Sequence, residues 1–155
     1  MSAPSLLPTH WVTAAPFRYH VQHLMAATGV PWQVIAVVAD LPLAQVRTLL
    51  FGRDGQRRPR MSPYAARRLL ALDAAQLRRL QSREAPIPFA VESTRALVAD
   101  GLSLEQIADR VGLDVHSLRR LADGVGPCSR TTDIMLRIVC VERGLLHERE
   151  AREAA

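Results

Sequence analysis

The chain has no lysine, two cysteines, and few aromatic residues, at 5% of 155 positions. It also has no long apolar run. Each scarcity excludes something. All twenty fixed cations are arginine, a bias that GC-rich codon usage accounts for by itself. Cys128 and Cys140 form no CxxC pair and no Cys/His cluster with metal spacing, so no zinc module is expected and a reduced, cytosolic setting is. His20 and His23 share a helix face without a third ligand and read as ordinary histidines. The longest apolar stretch, residues 34–39, is far too short to span a bilayer. Nothing basic precedes Leu6–Leu7, so no signal peptide is expected. The paucity of aromatics and β-branched runs, against abundant Ala, Leu and Arg, predicts an all-α fold.

What is present is ample apolar content, 48%, and a formal charge of +5. The charge is unevenly spread. Residues 1–72 carry eight Arg against Asp40 and Asp54, a balance of +6, whereas residues 73–155 carry twelve Arg against thirteen acids, a balance of −1. A polyanionic partner is therefore expected to be drawn mainly by the N-terminal half.

The clearest local pattern is Ser103 to Gly124. Ser103 with Gln106 forms a capping-box signature, Gly112 supplies a tight turn, Asp114 is a good N-cap, and Leu118 with Leu121 marks an inward face. Ile107, Ala108, Val111 and Leu113 complete the packing of two short helices about one turn. This is the signature of a helix-turn-helix. A shift of 72 residues superimposes Gly29 on Gly101, Ile35–Ala36 on Ile107–Ala108, Leu41 on Leu113, Val46 on Leu118, Arg47 on Arg119, Leu49 on Leu121 and Gly52 on Gly124. The chain is thus expected to hold two tandem helix-turn-helix modules joined by a partly helical, Pro-containing linker.

The expected layout is an arm over 1–15, an N-terminal module over 16–72 with a basic loop at 52–61, and a linker over 73–88. A C-terminal module over 89–143 and a charged tail over 144–155 follow. In the first module Pro16 opens a helix that stops at Gly29, with Val21, Leu24 and Met25 inward. Ser62–Pro63 opens a fourth helix with Ala66, Leu69 and Leu70 inward. In the second, a fourth helix begins near Thr131–Thr132, with Ile134, Leu136, Ile138 and Val139 in the core. Ala85 to Pro88 is expected to be extended.

The second helix of such a pair enters the major groove and its first exposed side chains meet base edges. These are Ala44, Gln45, Arg47 and Thr48 in the first module, and His116, Ser117, Arg119 and Arg120 in the second. Gln reads adenine, Arg reads guanine, and Thr and Ala methyls touch thymine. The loop residues Arg53, Arg57, Arg58 and Arg60 suit phosphate gripping. The expected partner is double-stranded DNA, with one chain presenting two unlike readers to an asymmetric site as a monomer. No cofactor is implied. No nucleophile–base pair, Gly-rich phosphate loop or paired carboxylates stands on one face, so no enzyme is expected.

Residues 10–72 resemble the helix-turn-helix proteins of actinobacteria and their temperate phages. Trp11, Val12, Ala14, Pro16, His20, Gly52 and Arg57 to Arg60 are the matching positions. The tandem layout is similar to that of actinobacteriophage immunity repressors. The sequence departs from that group at Asp40–Leu41–Pro42, where Ala-Gly-Val and a Ser or Thr cap are usual. The resemblance implies a transcriptional repressor. Two alternatives keep the fold: an activator or sigma-like adaptor partnered by RNA polymerase, or a C-terminal module that holds a protein through Asp109, Asp114 and Asp123.

Overall fold

The computed structural model describes residues 11–153. The fold is all-α but for one short sheet, and the chain divides into two compact units between Leu77 and Arg78. The ten residues of the expected arm that precede Trp11 lie outside the described residues, as do the last two of the expected tail.

Unit 1 opens with β1 (Val12–Thr13), then α1 (Ala15–Thr28), α2 (Trp32–Val38) and α3 (Leu43–Phe51). It continues with β2 (Arg60–Met61) and α4 (Pro63–Leu70). A proline in the first turn suits α1 because an amide there has no partner to lose. Gly29 stops the helix with φ 72°, its N–H returning to Met25 O. The short α2 is almost wholly apolar, and Val34, Ile35, Ala36 and Val37 are all buried. It holds through tertiary packing rather than through length. On α3 the residues Leu43, Val46, Leu49 and Leu50 face inward. Ser62 caps α4, whose Ala65, Ala66 and Leu69 are buried.

The turn between α2 and α3 is built on Asp40, at φ 56°, followed by an inward Leu41 whose N–H reaches Ala36 O at 2.9 Å. Asp is one of the few side chains tolerated there. The non-glycine turn thus keeps the backbone bend that glycine usually supplies. Arg68 on α4 braces it, donating from Nε to Ala39 O at 2.8 Å beside the Asp40 carboxylate.

The division between units falls inside α5 (Ala74–Ser82). Unit 2 comprises α6 (Ile87–Ala99), α7 (Leu104–Val111), α8 (Val115–Ala122), α9 (Arg130–Glu142) and α10 (Glu148–Glu153). The capping box at Ser103 forms with both hydrogen bonds, Gly112 takes φ 76°, and Asp114 caps α8. Leu113 N–H reaches Ala108 O at 3.0 Å, the same bond as Leu41 to Ala36 one repeat earlier. α6 packs on α8 and α9, so α9, buried along most of its length, forms the spine of this unit.

Four expectations need correction. The expected boundary of the arm at residue 15 moves, since Val12 and Thr13 belong to the first module. They pair antiparallel with Met61 and Arg60, because the basic loop returns beside them. Leu70 is 64% exposed, since α4 ends there and Leu69 takes the inward position. Ile87 and Pro88 open α6, where a first-turn proline is harmless. Residues 83–85, read as linker, belong to unit 2: Glu84 bridges Ser129, Ala85 N–H reaches Cys128 O, and Arg130 N–H reaches Arg83 O. This bridge lies 72 residues after Val12 and likewise precedes the fourth helix, so the repeat extends further than side-chain pattern reveals.

Among the described residues no single helix is long and apolar enough to cross a membrane.

Candidate nucleic-acid interface

On α3, burial of Leu43, Val46, Leu49 and Leu50 leaves a continuous outer stripe. Ala44 and Arg47 are exposed, Gln45 and Thr48 half-buried, and Phe51 is 60% exposed at the end of the helix. The expected readers therefore share one face. Arg47 occupies one edge of it, its guanidinium 5.6 Å from the Trp32 ring, which in turn meets Phe51 edge-on at 6.0 Å. A guanidinium stacked in this way is steadied while its N–H groups stay free to bond.

Gln45 and Thr48 lie at the other edge, beside the basic loop. That loop is ordered. Arg53 and Gln56 exchange backbone hydrogen bonds of 2.8 and 3.1 Å around Asp54 and Gly55, both at positive φ. This is the two-residue hairpin turn that Asp-Gly favours. Gly52 at its base has no room for a side chain in this geometry: φ is 78°, and an added Cβ would lie 2.2 Å from Gln56 O. The loop is thus a small wing whose far end, Arg60–Met61, pairs with β1. Arg53, Arg57, Arg58 and Arg60 are all exposed, and none forms a salt bridge among the described residues.

Between α3, the wing and β1 lies a half-open cleft of about 270 Å³. Gln45, Thr48, Arg53, Arg58 and Arg60 line it together with Trp11, and no carboxylate does. Trp11 forms a wall of the cleft and remains 41% exposed.

Arg18 is the residue that sequence reasoning missed. It is 7% exposed and has no acidic partner among the described residues, yet its Nε donates to Leu49 O at 2.7 Å and its Nη2 to Arg58 O at 3.3 Å. One guanidinium thereby ties the last turn of α3 to the wing, with its charge at the negative end of the helix dipole. The signal was present, since Arg18, Val21 and Leu24 fall on one stripe of α1 and all three are buried.

In unit 2, His116, Ser117, Arg119 and Arg120 are exposed together on α8. Ser117 is partly occupied. Its hydroxyl donates to Asp114 Oδ2 at 2.6 Å and its N–H to Oδ1 at 2.9 Å. These two bonds, the hydroxyl's first, hold the Asp114 carboxyl below its ordinary value. Ser117 therefore finishes a helix cap, and its hydroxyl donates outward only by giving up that bond, while its lone pairs can still accept. The segment after α8 carries no arginine before Arg130, so no counterpart of the wing's cations faces these readers. Other arginines here are already matched with acids: Arg110 with Glu142, Arg143 with Asp100, and Arg137 with the buried Asp133.

The cysteines lie away from both faces. Cys128, in the loop before α9, is 3% exposed, and burial with the nearby Asp133 charge pushes its thiol up to about 11. It is therefore a protonated core group at neutral pH. Cys140 is buried beside Ser93 O. His20 is spent on the fold, one ring nitrogen lying 2.9 Å from Leu72 O.

No protein-family model matches the chain, and no curated protein or solved structure resembles it significantly.

Proposed function

We propose that the protein is a sequence-specific binder of double-stranded DNA, with unit 1 supplying most of the affinity. The observation that carries this reading is the joint placement of a helix face bearing Gln45, Arg47 and Thr48 and an ordered wing bearing Arg53, Arg57, Arg58 and Arg60. Side chains able to read base edges stand beside cations that form no salt bridge among the described residues. The buried Arg18 guanidinium fastens the wing to the last turn of α3, so the wing's arginines are held beside the face that carries Arg47, an arrangement that scattered solvated arginines would not show. Unit 2 presents a different set, His116, Ser117, Arg119 and Arg120, so one chain engages an asymmetric site with two unlike helix-turn-helix readers. Tethering raises the local concentration of the second reader once the first is bound.

The biological role follows from resemblance alone: residues 10–72 and the tandem layout favour a repressor of the actinobacteriophage immunity type. A footprint of the intact protein on duplex selected from random sequence tests the reading. A continuous, non-palindromic protected site occupied by one chain is the expected result. A palindromic footprint bound by two chains rules out the tandem-reader form, and absence of any selected sequence rules out specific binding.

The charge balance of unit 2 and the engagement of Ser117 by Asp114 favour one alternative, in which this unit holds a protein partner through its acidic residues. Charge reversal at Arg119 and Arg120 separates the two: specific DNA binding is lost under the first reading and retained under the second.

A further inference from the structure

The cleft beside α3 adjoins the base-reading stripe and shares Gln45 and Thr48 with it, but its other walls come from the wing and from Trp11. Its chemistry is two-sided. One side is cationic: Arg53 and Arg58 reach it from the wing, with no carboxylate in the lining. The other is apolar, formed by Trp11, with Met61 and Leu49 behind it. Gln45 and Thr48 supply hydrogen-bonding groups between these sides.

The walls are held in place. Arg60 donates from Nη1 to Trp11 O at 3.2 Å, anchoring the aromatic wall to β2. Arg18 bonds the backbone carbonyls of Leu49 and Arg58, one from each side of the opening. A buried arginine spent on spacing two surfaces suggests that the gap between them matters.

An occupant must match both sides. An inorganic anion uses the arginines but leaves the indole wall idle. An apolar molecule leaves two or three guanidiniums desolvated and unpaired, which is costly. A sugar–phosphate unit satisfies both, with a charged head for the arginines and a carbon-rich ring face for the indole. The volume, about 270 Å³, lies just below the range usual for drug-sized ligands and suits one such unit. The position fits too, because a helix in the major groove and a wing beside it leave one backbone strand passing between them.

We infer that the cleft seats one nucleotide's sugar–phosphate from a single strand of the bound duplex, its phosphate held by Arg53 and Arg58 and its deoxyribose packed on Trp11. The inference rests on the reading of unit 1 as a duplex-DNA binder. It makes Trp11 an affinity residue that reads no base.

The test uses the full chain and a random-sequence duplex, titrated across a salt series with wild type, Trp11→Ala, Arg58→Gln, the double variant, and Arg67→Gln as a control on exposed α4. Arg58→Gln flattens the dependence of log K on log salt by about 1. Trp11→Ala lowers affinity roughly fivefold at unchanged slope, the scale of losing a buried methylene-sized contact or two. The double variant loses less than the product of the two, because both hold the same unit. Arg67→Gln moves affinity and slope far less than Arg58→Gln. Circular dichroism of Trp11→Ala establishes that the variant is folded; if it is not, Trp11→Phe is used, with a smaller loss at unchanged slope expected. Duplex binding by wild type that both cleft variants retain at full strength overturns this inference and leaves the DNA-binding reading standing. No duplex binding by wild type overturns both. A competition arm separates strand from free nucleotide: 5′-dAMP displaces the duplex no better than inorganic phosphate does, and displacement peculiar to 5′-dAMP overturns the strand assignment in favour of a small-molecule site.

Discussion

The two units share one backbone plan and differ in what they hang on it. In both, an extended lead-in pairs with the segment before the fourth helix, and two helices meet at a left-handed residue. Unit 1 carries eight Arg against three Asp, a balance of +5, and its wing arginines have no acidic partners among the described residues. Unit 2 carries twelve Arg against twelve acids, a balance of zero, and spends several of its arginines on internal ion pairs. Its turn and caps are the better formed, with Gly112, a capping box and Asp114. Unit 1 starts α3 without any side-chain cap and bends through an aspartate. Local helix quality and suitability for a polyanion are thus separable, and this chain divides them between its halves.

The strongest way to break this comparison is to remove unit 2 from within. Leu118 is fully buried, so Leu118→Ala is expected to cost about 2–5 kcal/mol in that unit. Urea unfolding followed by hydrogen exchange should show α6 to α9 losing protection while α1 to α4 keep theirs. Affinity for random duplex should persist. Its collapse in step with unit 2 would show that the affinity does not reside in unit 1.

Next in size is exchange of the cations. Combined Arg53→Gln, Arg57→Gln and Arg58→Gln should flatten the salt dependence by about 3, roughly one for each phosphate contact, and weaken binding on every sequence. Arg119→Gln with Arg120→Gln should change non-specific affinity much less but cost about 1–3 kcal/mol of discrimination for each base read. Equal salt effects from the two sets would erase the asymmetry.

Equivalent glycines sharpen the comparison further. Gly52 and Gly124 have similar φ, 78° and 82°, but only Gly52 has backbone where a Cβ would go, while nothing lies within 4 Å at Gly124. Gly124→Ala should therefore cost about 1 kcal/mol, from conformation alone. Gly52→Ala should cost more and also displace the wing, seen as a loss of duplex affinity in a folded protein.

The smallest effect concerns pH. Two hydrogen bonds from Ser117 hold the Asp114 carboxyl below its ordinary value, so the folded unit binds fewer protons there than the unfolded chain. The contribution is fully present above about pH 4, the unperturbed carboxyl value, and is lost as pH falls through the lower folded value. Asp114→Asn retains a good cap and should leave unit 2 less sensitive to acid, measured as a thermal midpoint between neutral pH and pH 3.

What could be read beforehand was whatever is local in the chain. Ser103, Gln106, Gly112, Asp114 and Ser62 announce helix ends through bonds spanning three or four residues, and these formed. The repeat carried the turn at Asp40 even though its sequence departs from the usual pattern. What escaped depends on distant partners. The pairing of Val12 with Met61 joins positions 49 residues apart, and neither dipeptide is long enough to show alternation. Arg18 escaped because a lone arginine among helical residues looks solvated until its carbonyl partners, 31 and 40 residues away, come into view. The outer stripe of α3 was legible through its buried complement, whereas the cleft beside it exists only once the wing has folded back.

The Arg18 clasp has a consequence for how this surface can be altered. Its two bonds fall at Leu49 and Arg58, so the hairpin tip over residues 53–57 is the one stretch of the wing lying outside its grip. Lengthening or recoding that tip leaves the spacing to α3 undisturbed. Insertion between Arg58 and Met61 shifts the clasp and the strand pairing together. The wing is therefore an exchangeable part with a built-in mounting point, and grafts made at the tip should transplant a new footprint width onto an unaltered reader.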